Sequence, residues 1–162
     1  MKRLLHIGLV TAAATVSAFA WAQAAGPAKS AADAKTAIEA RQAVFKEIKK
    51  AYEPMTDVLK GKREFDAALF VTNATRIQEL AGQIPAKFAV DTRQFKDTKT
   101  DALDGIWNSQ ADFKAKADAL ATGAANLAAA AKTGDKGATM KAVPAMGKTC
   151  GACHDNYKFK SE

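Results

Sequence analysis

Met140-Lys141-Ala142-Val143-Pro144-Ala145-Met146-Gly147-Lys148-Thr149-Cys150-Gly151-Ala152-Cys153-His154-Asp155-Asn156-Tyr157, close to the C-terminus, decides how the rest of the chain is read. Met140, Val143, Gly147, Cys150, His154 and Tyr157 follow one another in steps of three and four, so they share one face of an α-helix. Within that stripe Cys150 to His154 spells C-x-x-C-H, the attachment site of a c-type haem. Two thiols three residues apart can both reach the vinyl groups on one porphyrin edge. His154 lies on the same face and can put an imidazole nitrogen on the iron. Pro144 interrupts the pattern, and a kink or break is expected near Met140 to Val143.

The competing uses of two cysteines fit less well. A thioredoxin-type pair needs a βαβ context, and a structural zinc site needs four ligands. The chain has two cysteines and two histidines in all, and the other histidine, His6, falls in the apolar N-terminal segment expected to be removed on export. A disulfide would close only a tiny loop and leave His154 without a role.

Working outward, three more helical stripes precede the motif. Ala34, Ile38, Arg41, Phe45, Ile48 and Tyr52 form the first, which Pro54 is expected to end or bend, with Gly61 closing the piece that follows. Phe70, Ala74, Ile77, Ala81 and Ile84 form the second, begun by Phe65 and ended by Gly82 and Pro85. The third, Ile106, Gln110, Phe113, Ala117, Leu120, Ala124, Leu127 and Ala131, reads as one unbroken helix opened near Asp104. Residues 85–101 lack a period and read as a long connection that serves a purpose or crosses the fold. Four stripes without β-alternation predict an all-α fold, an antiparallel four-helix bundle with one covalently attached haem. Gly147, one turn before Cys150, is a place where a porphyrin could lie against bare backbone.

The N-terminus has the marks of an export signal. Met1-Lys2-Arg3 is basic, Leu4 to Ala20 is apolar, and Ala22-Gln23-Ala24 is an A-x-A cleavage site, which divides the chain into a signal at 1–24 and a single domain at 25–162. The apolar run is short for a membrane span, so no span is expected once the signal is removed. Export suits a covalent haem, because this attachment takes place outside the bacterial cytoplasm, and a periplasmic location follows. The chain carries 24 Lys and Arg against 17 Asp and Glu, a net charge of +7, of which Lys2 and Arg3 leave with the signal. The lysines are scattered and form no basic stripe interleaved with aromatics, which argues against a nucleic-acid partner.

The export signal, the four helices, Arg41-Gln42-Ala43-Val44-Phe45 on the first, Ile106-Trp107 opening the third, and Cys150 to His154 followed by Tyr157-Lys158 resemble the cytochrome c′ family, the class II cytochromes c. That resemblance implies a periplasmic haem c protein, one haem per chain and often a homodimer, with NO and CO as ligands where the sixth iron position is open. Six-coordinate relatives place a methionine there and act as electron carriers. The resemblance also sets Arg41 and Gln42 beside the haem propionates. Where family members often carry arginine this chain has Lys158, a point charge in place of a planar guanidinium.

The residues bear on the sixth position directly. Met140 and Met146 share a segment with His154 and approach from the proximal side, while Met55 follows Pro54 and is expected at the bundle end. Arg41 on a buried stripe calls for an anion, and a propionate would be one, unless the side chain snorkels to water. Phe45, one turn further on the same face, would then project over the ring, unless it is ordinary core. No Ser/His/Asp set, carboxylate pair or phosphate loop points to an enzyme. Two functions stay open: gas binding at an open sixth position, and electron transfer through a methionine-ligated, low-spin iron to a periplasmic partner.

Overall fold

A computed structural model describes residues 26–160. The export signal read at 1–24, and His6 with it, lie outside the described residues. The chain begins with a two-residue strand, β1 (Gly26–Pro27), and enters α1 (Ala31–Leu59), where the Ser30 side chain accepts a hydrogen bond from the Asp33 amide. α1 runs through Pro54 without the expected stop. The carbonyl that loses its partner there belongs to Lys50, which is exposed, so water can replace the missing amide. The helix closes at Lys60, and Gly61 turns the chain at a φ of +69°.

Asp66 caps the start of α2 (Ala67–Lys87), which also continues past the residues expected to end it, Gly82 and Pro85. Gly82 faces solvent, and Pro85 falls in the last turn, where little helix remains to be disrupted. β2 (Val90–Asp91) then pairs in parallel with β1, Gly26 opposite Val90. The expected third helix is divided in two, α3 (Gly105–Asn108) and α4 (Gln110–Lys132). Ser109, at φ −133° and ψ 50°, leaves the helical region between them. Tertiary bonds override the period here: the Trp107 indole N–H donates to the Phe88 carbonyl at 3.0 Å, and the Leu103 amide donates to the Tyr157 carbonyl. Gln110 is accordingly exposed and not part of the buried stripe. α5 (Lys136–Tyr157), capped by Asp135, is continuous through Pro144, so the expected break is absent.

Aromatic contacts fix the directions of the helices. Phe88, at the end of α2, meets Phe113, in the first turn of α4, at 4.8 Å between ring centroids, and Phe113 meets Tyr157, at the end of α5, at 5.3 Å. Arg41, in the first half of α1, donates to the carbonyl of Lys87 at the end of α2 at 3.0 Å, and Phe45, at the midpoint of α1, meets Phe88 at 6.2 Å. The bundle therefore runs up, down, up, down, and the connection 88–109 roofs one end instead of crossing it.

α2 and α4 make the most extensive pairing, α1 packs on α2 and α5 on α4, while α1 and α5 scarcely touch. The α2 stripe of Phe70, Ala74, Ile77, Ala81 and Ile84 is buried as expected. On α1 the expected Ala34, Ile38, Arg41 and Ile48 are buried, but Val44 and Ala51 take the core places expected of Phe45 and Tyr52, which turn toward the gap between α1 and α5. A helix apolar around a wide arc has two faces to satisfy, and periodicity alone does not say which meets the core.

Candidate haem cavity

The gap between α1 and α5 is a cavity of about 990 Å³, at the upper end of the range for ligand pockets. Cys150, Cys153 and His154, all in the last two turns of α5, line one wall. Both cysteines are half-buried and free, and burial pushes both thiols above their ordinary pKa. His154 is exposed at the mouth, and its partial burial followed by the neighbouring Lys158 charge holds its pKa below 6.5, which favours the neutral imidazole that binds metals.

The middle of the facing wall is apolar, with Arg41, Gln42 and Lys49 also on it. Ile38, Phe45, Ile48 and Tyr52 come from α1, with Ile77 and Ile84 behind them on α2. Phe45 is 37% exposed, unlike the core phenylalanine Phe70 at 0%. Among the methionines of the described residues only Met146 lines the cavity, from the same helix as His154. Met55 lies near the end of α1, at the bundle end as expected, and there it is fully buried in the core and does not line the cavity.

Arg41 does not snorkel to water, and its partners in the fold are protein oxygens. It is 3% exposed, and its Nε donates to the Lys87 carbonyl at 3.0 Å, Nη1 to Thr92 Oγ1 at 3.1 Å and Nη2 to the Val90 carbonyl. The guanidinium carbon also lies 4.6 Å from the centre of the Phe88 ring and 5.2 Å from that of Trp107. Burial pulls its pKa down to about 10, with Asp91 acting in the opposite sense, and it remains charged at neutral pH. Arg41 therefore ties α1 to the end of α2 and to the roof. It also lines the cavity, as does the exposed Gln42. A guanidinium has five N–H groups, so two remain for a carboxylate on the cavity side.

Three features of the site lie outside the sequence expectations. A Cβ on Gly147 would lie 2.5 Å from the Tyr52 hydroxyl, so the bare backbone expected to face a porphyrin faces Tyr52. The signal was available, since Tyr52 is seven residues after Phe45 and so two turns along the same face. Residues Lys99 to Ala102 of the roof also line the cavity, held down where Ala102 bridges to Lys158 and the Phe159 amide donates to the Asp101 carbonyl at 2.8 Å. Lys158, beside the motif, is paired with Asp101 at 3.2 Å. Such a pairing of distant segments has no local signature.

An apolar slot with two thiols and an imidazole from consecutive turns of one helix fits a flat macrocycle attached at its edge and ligated through its metal. Fold and cavity together define a c-type cytochrome built on a four-helix bundle. A family model described as Cytochrome C' matches residues 36–158. Cytochrome c-556 of Agrobacterium tumefaciens (strain B2A) is 32% identical over 119 residues, covering 74% of this chain and 93% of that protein. Cytochrome c prime from Shewanella frigidimarina superposes with a TM-score of 0.70 at 38% identity, covering 78% of this chain and 97% of that one. A nitric oxide complex of a variant of cytochrome c prime from Alcaligenes xylosoxidans gives a TM-score of 0.67 at 31% identity, covering 78% and 97%. The chain belongs to the cytochrome c′ family. Its cofactor is haem c, and it is a haem-binding electron-transfer cytochrome. Proteins of this family are generally periplasmic and generally not catalytic.

Proposed function

We propose that this chain is a periplasmic, non-enzymatic monohaem cytochrome whose iron keeps an open sixth position for NO and CO. Cys150 and Cys153 hold the haem as thioethers, each thiol adding its sulfur and hydrogen across one vinyl double bond. His154 supplies the axial nitrogen. The haem, once bound, supplies the one-electron and gas-binding chemistry. Arg41 and Gln42 face the propionates, and Phe45 covers the side opposite His154. The domain extends over 25–162 after export and cleavage at 1–24, and two copies pair as a homodimer. Among the described residues no helix is long and apolar enough to cross a membrane.

The observation that carries this reading is the composition of the α1 wall. Phenylalanine and isoleucine cannot ligate iron, the Tyr52 hydroxyl lies against Gly147 with its pKa raised by burial, and the methionine best placed in sequence, Met55, is in the core. Phe45 excludes water and anions from an apolar space and yields to a small neutral molecule by rotating. The nitric oxide complex of the Alcaligenes relative supports the choice of ligand. The test is the absorption spectrum of the purified ferric and ferrous protein, with haem that stays attached in acid–acetone. High-spin bands, and a ferrous form that takes up NO and CO, are expected. Phe45→Met should turn the spectrum low-spin by supplying a thioether. A sharp low-spin α-band in the unmutated protein overturns the gas-binding reading.

A further inference from the structure

The mouth of the cavity has a charge pattern that neither haem attachment nor gas binding uses. Five lysines line it: Lys49 from α1, Lys99 from the roof, Lys116 from α4, and Lys148 and Lys158 from α5. One carboxylate, Asp101, accompanies them, and it is taken up by Lys158 at 3.2 Å. Lys49 is offset by Glu53 at 3.5 Å on the exposed side of α1. Among the described residues no carboxylate lies within 4.0 Å of Lys99, Lys116 or Lys148. These three come from three different segments, so they stand around the opening and not along one helix. Beside them Phe159, next to Lys158, is 59% exposed, the most exposed large apolar side chain among the described residues.

We propose that this lysine-bordered mouth is the docking surface for an electron-transfer protein whose own redox centre is framed by carboxylates. The proposal rests on the haem occupying the cavity, because that places a cofactor edge inside the cationic ring. Each exposed lysine contributes little binding energy alone. Several of one sign around a low-dielectric opening focus the field, raise the encounter rate with an anionic partner and orient it over the mouth. Two propionates beside Arg41 do not cancel the unpaired lysines. Phe159 gives the partner an apolar contact at the rim. A protein is favoured over a lipid surface because the lysines surround a concavity, and electron transfer requires a redox centre brought over it.

The test uses the holoprotein in stopped flow. Reduction of the ferric form by the hydroquinone of a flavodoxin, an acidic flavoprotein, should slow at least about tenfold between about 10 mM and about 200 mM salt. Lys99→Glu, Lys116→Glu and Lys148→Glu together should slow the low-salt reaction by about tenfold or more. The same three changes at Lys60, Lys62 and Lys132, at the opposite end of the bundle, should change it less than about twofold. Because the triple variant could fold poorly, the unmutated ferrous protein is also oxidised with hexacyanoferrate(III) and with tris(phenanthroline)cobalt(III). Salt should slow the anionic oxidant and speed the cationic one. Equal effects of the two triple variants, or the same salt response to both oxidants, overturns the proposal. Binding of the holoprotein to phosphatidylglycerol vesicles that the rim substitutions abolish overturns it too, in favour of a lipid surface. Haem lost in acid–acetone would instead defeat the attachment reading, before any rate is measured.

Discussion

α2 against α4 and α1 against α5 are both antiparallel helix pairs on the sides of one bundle, and they are built to opposite ends. Between α2 and α4 the small residues Ala74, Ala81, Ala124 and Ala128 let the backbones approach, and Phe70 and Leu127 fill what is left with no exposure at all. Between α1 and α5 the large residues Phe45, Ile48 and Tyr52 point across about 990 Å³ of space toward two thiols and an imidazole. Alanine-rich stripes thus do not by themselves mean room for a cofactor. The room comes from the pair of helices whose facing residues are too large, and too far apart, to close on each other.

The sharpest way to break that contrast is to truncate one phenylalanine on each side. Phe70→Ala should destabilise the holoprotein by about 3–5 kcal/mol, the range for a fully buried phenylalanine, and leave the haem spectrum unchanged. Phe45→Ala should cost less than about half of that, since the ring is 37% exposed, yet speed CO entry about tenfold, as when a steric barrier of about 1.4 kcal/mol is removed. Denaturant titration and CO stopped flow measure the two quantities. Equal losses of stability would mean that the open side is as much core as the closed one.

Arg41 joins the two regions, because it leaves the open face of α1 to grip the end of α2 and the roof. Arg41→Leu removes three hydrogen bonds from a charged donor and leaves the Lys87 and Val90 carbonyls unpaired, so a loss of more than about 2 kcal/mol is expected. If Arg41 also faces a propionate, the reduction potential shifts with it. Arg41→Lys separates the two effects, since a lysine keeps the charge but cannot span three acceptors. Lost stability with an unchanged potential in both variants would make Arg41 a purely structural tie.

The parts of this molecule that were legible in the chain are those with a local period or spacing. The α2 stripe came out position for position, and so did Phe113 to Ala131 on α4, because one face of each does all the burying. Cys150, Cys153 and His154 were legible because their chemistry depends on spacing within one turn. On α1 the stripe is buried at Ala34, Ile38, Arg41 and Ile48 but not at Phe45 and Tyr52, whose core places Val44 and Ala51 take, since this helix buries one face and lines a cavity with the other. Neither Pro54, expected to end or bend α1, nor Pro144, expected to kink or break α5, interrupts its helix, and α2 ends two residues past Pro85: a proline removes one bond, and packing on either side carries the helix past it. Residues 88–109 were opaque because their structure is tertiary, made of the carbonyls that Arg41 and Trp107 hold and of the bridge to residue 158.

The smallest expected effect belongs to Tyr157, where the closed pair α4 and α5 reaches the edge of the open side. Its hydroxyl donates to Asp112 Oδ2 at 2.5 Å, and its ring stands edge-on to Phe113 at 89°. The carboxylate accepting that proton holds the phenol pKa up to about 12, against an ordinary 10. A folded-state pKa above the unfolded one stabilises the fold in full below pH 10, and that contribution is lost as the pH rises through 12. Tyr157→Phe keeps the ring contact and returns the exposed Asp112 to water, so it should cost only about 0.5–1.5 kcal/mol at neutral pH. The comparison to make is the difference in stability between the two proteins, measured by denaturant at intervals from pH 7 to beyond 11, since lysine titration acts on both alike and drops out. That difference should be flat at first and shrink as the phenol ionises. A difference that stays constant through the alkaline range would mean that the ring's packing, and not its hydroxyl, is what α4 holds.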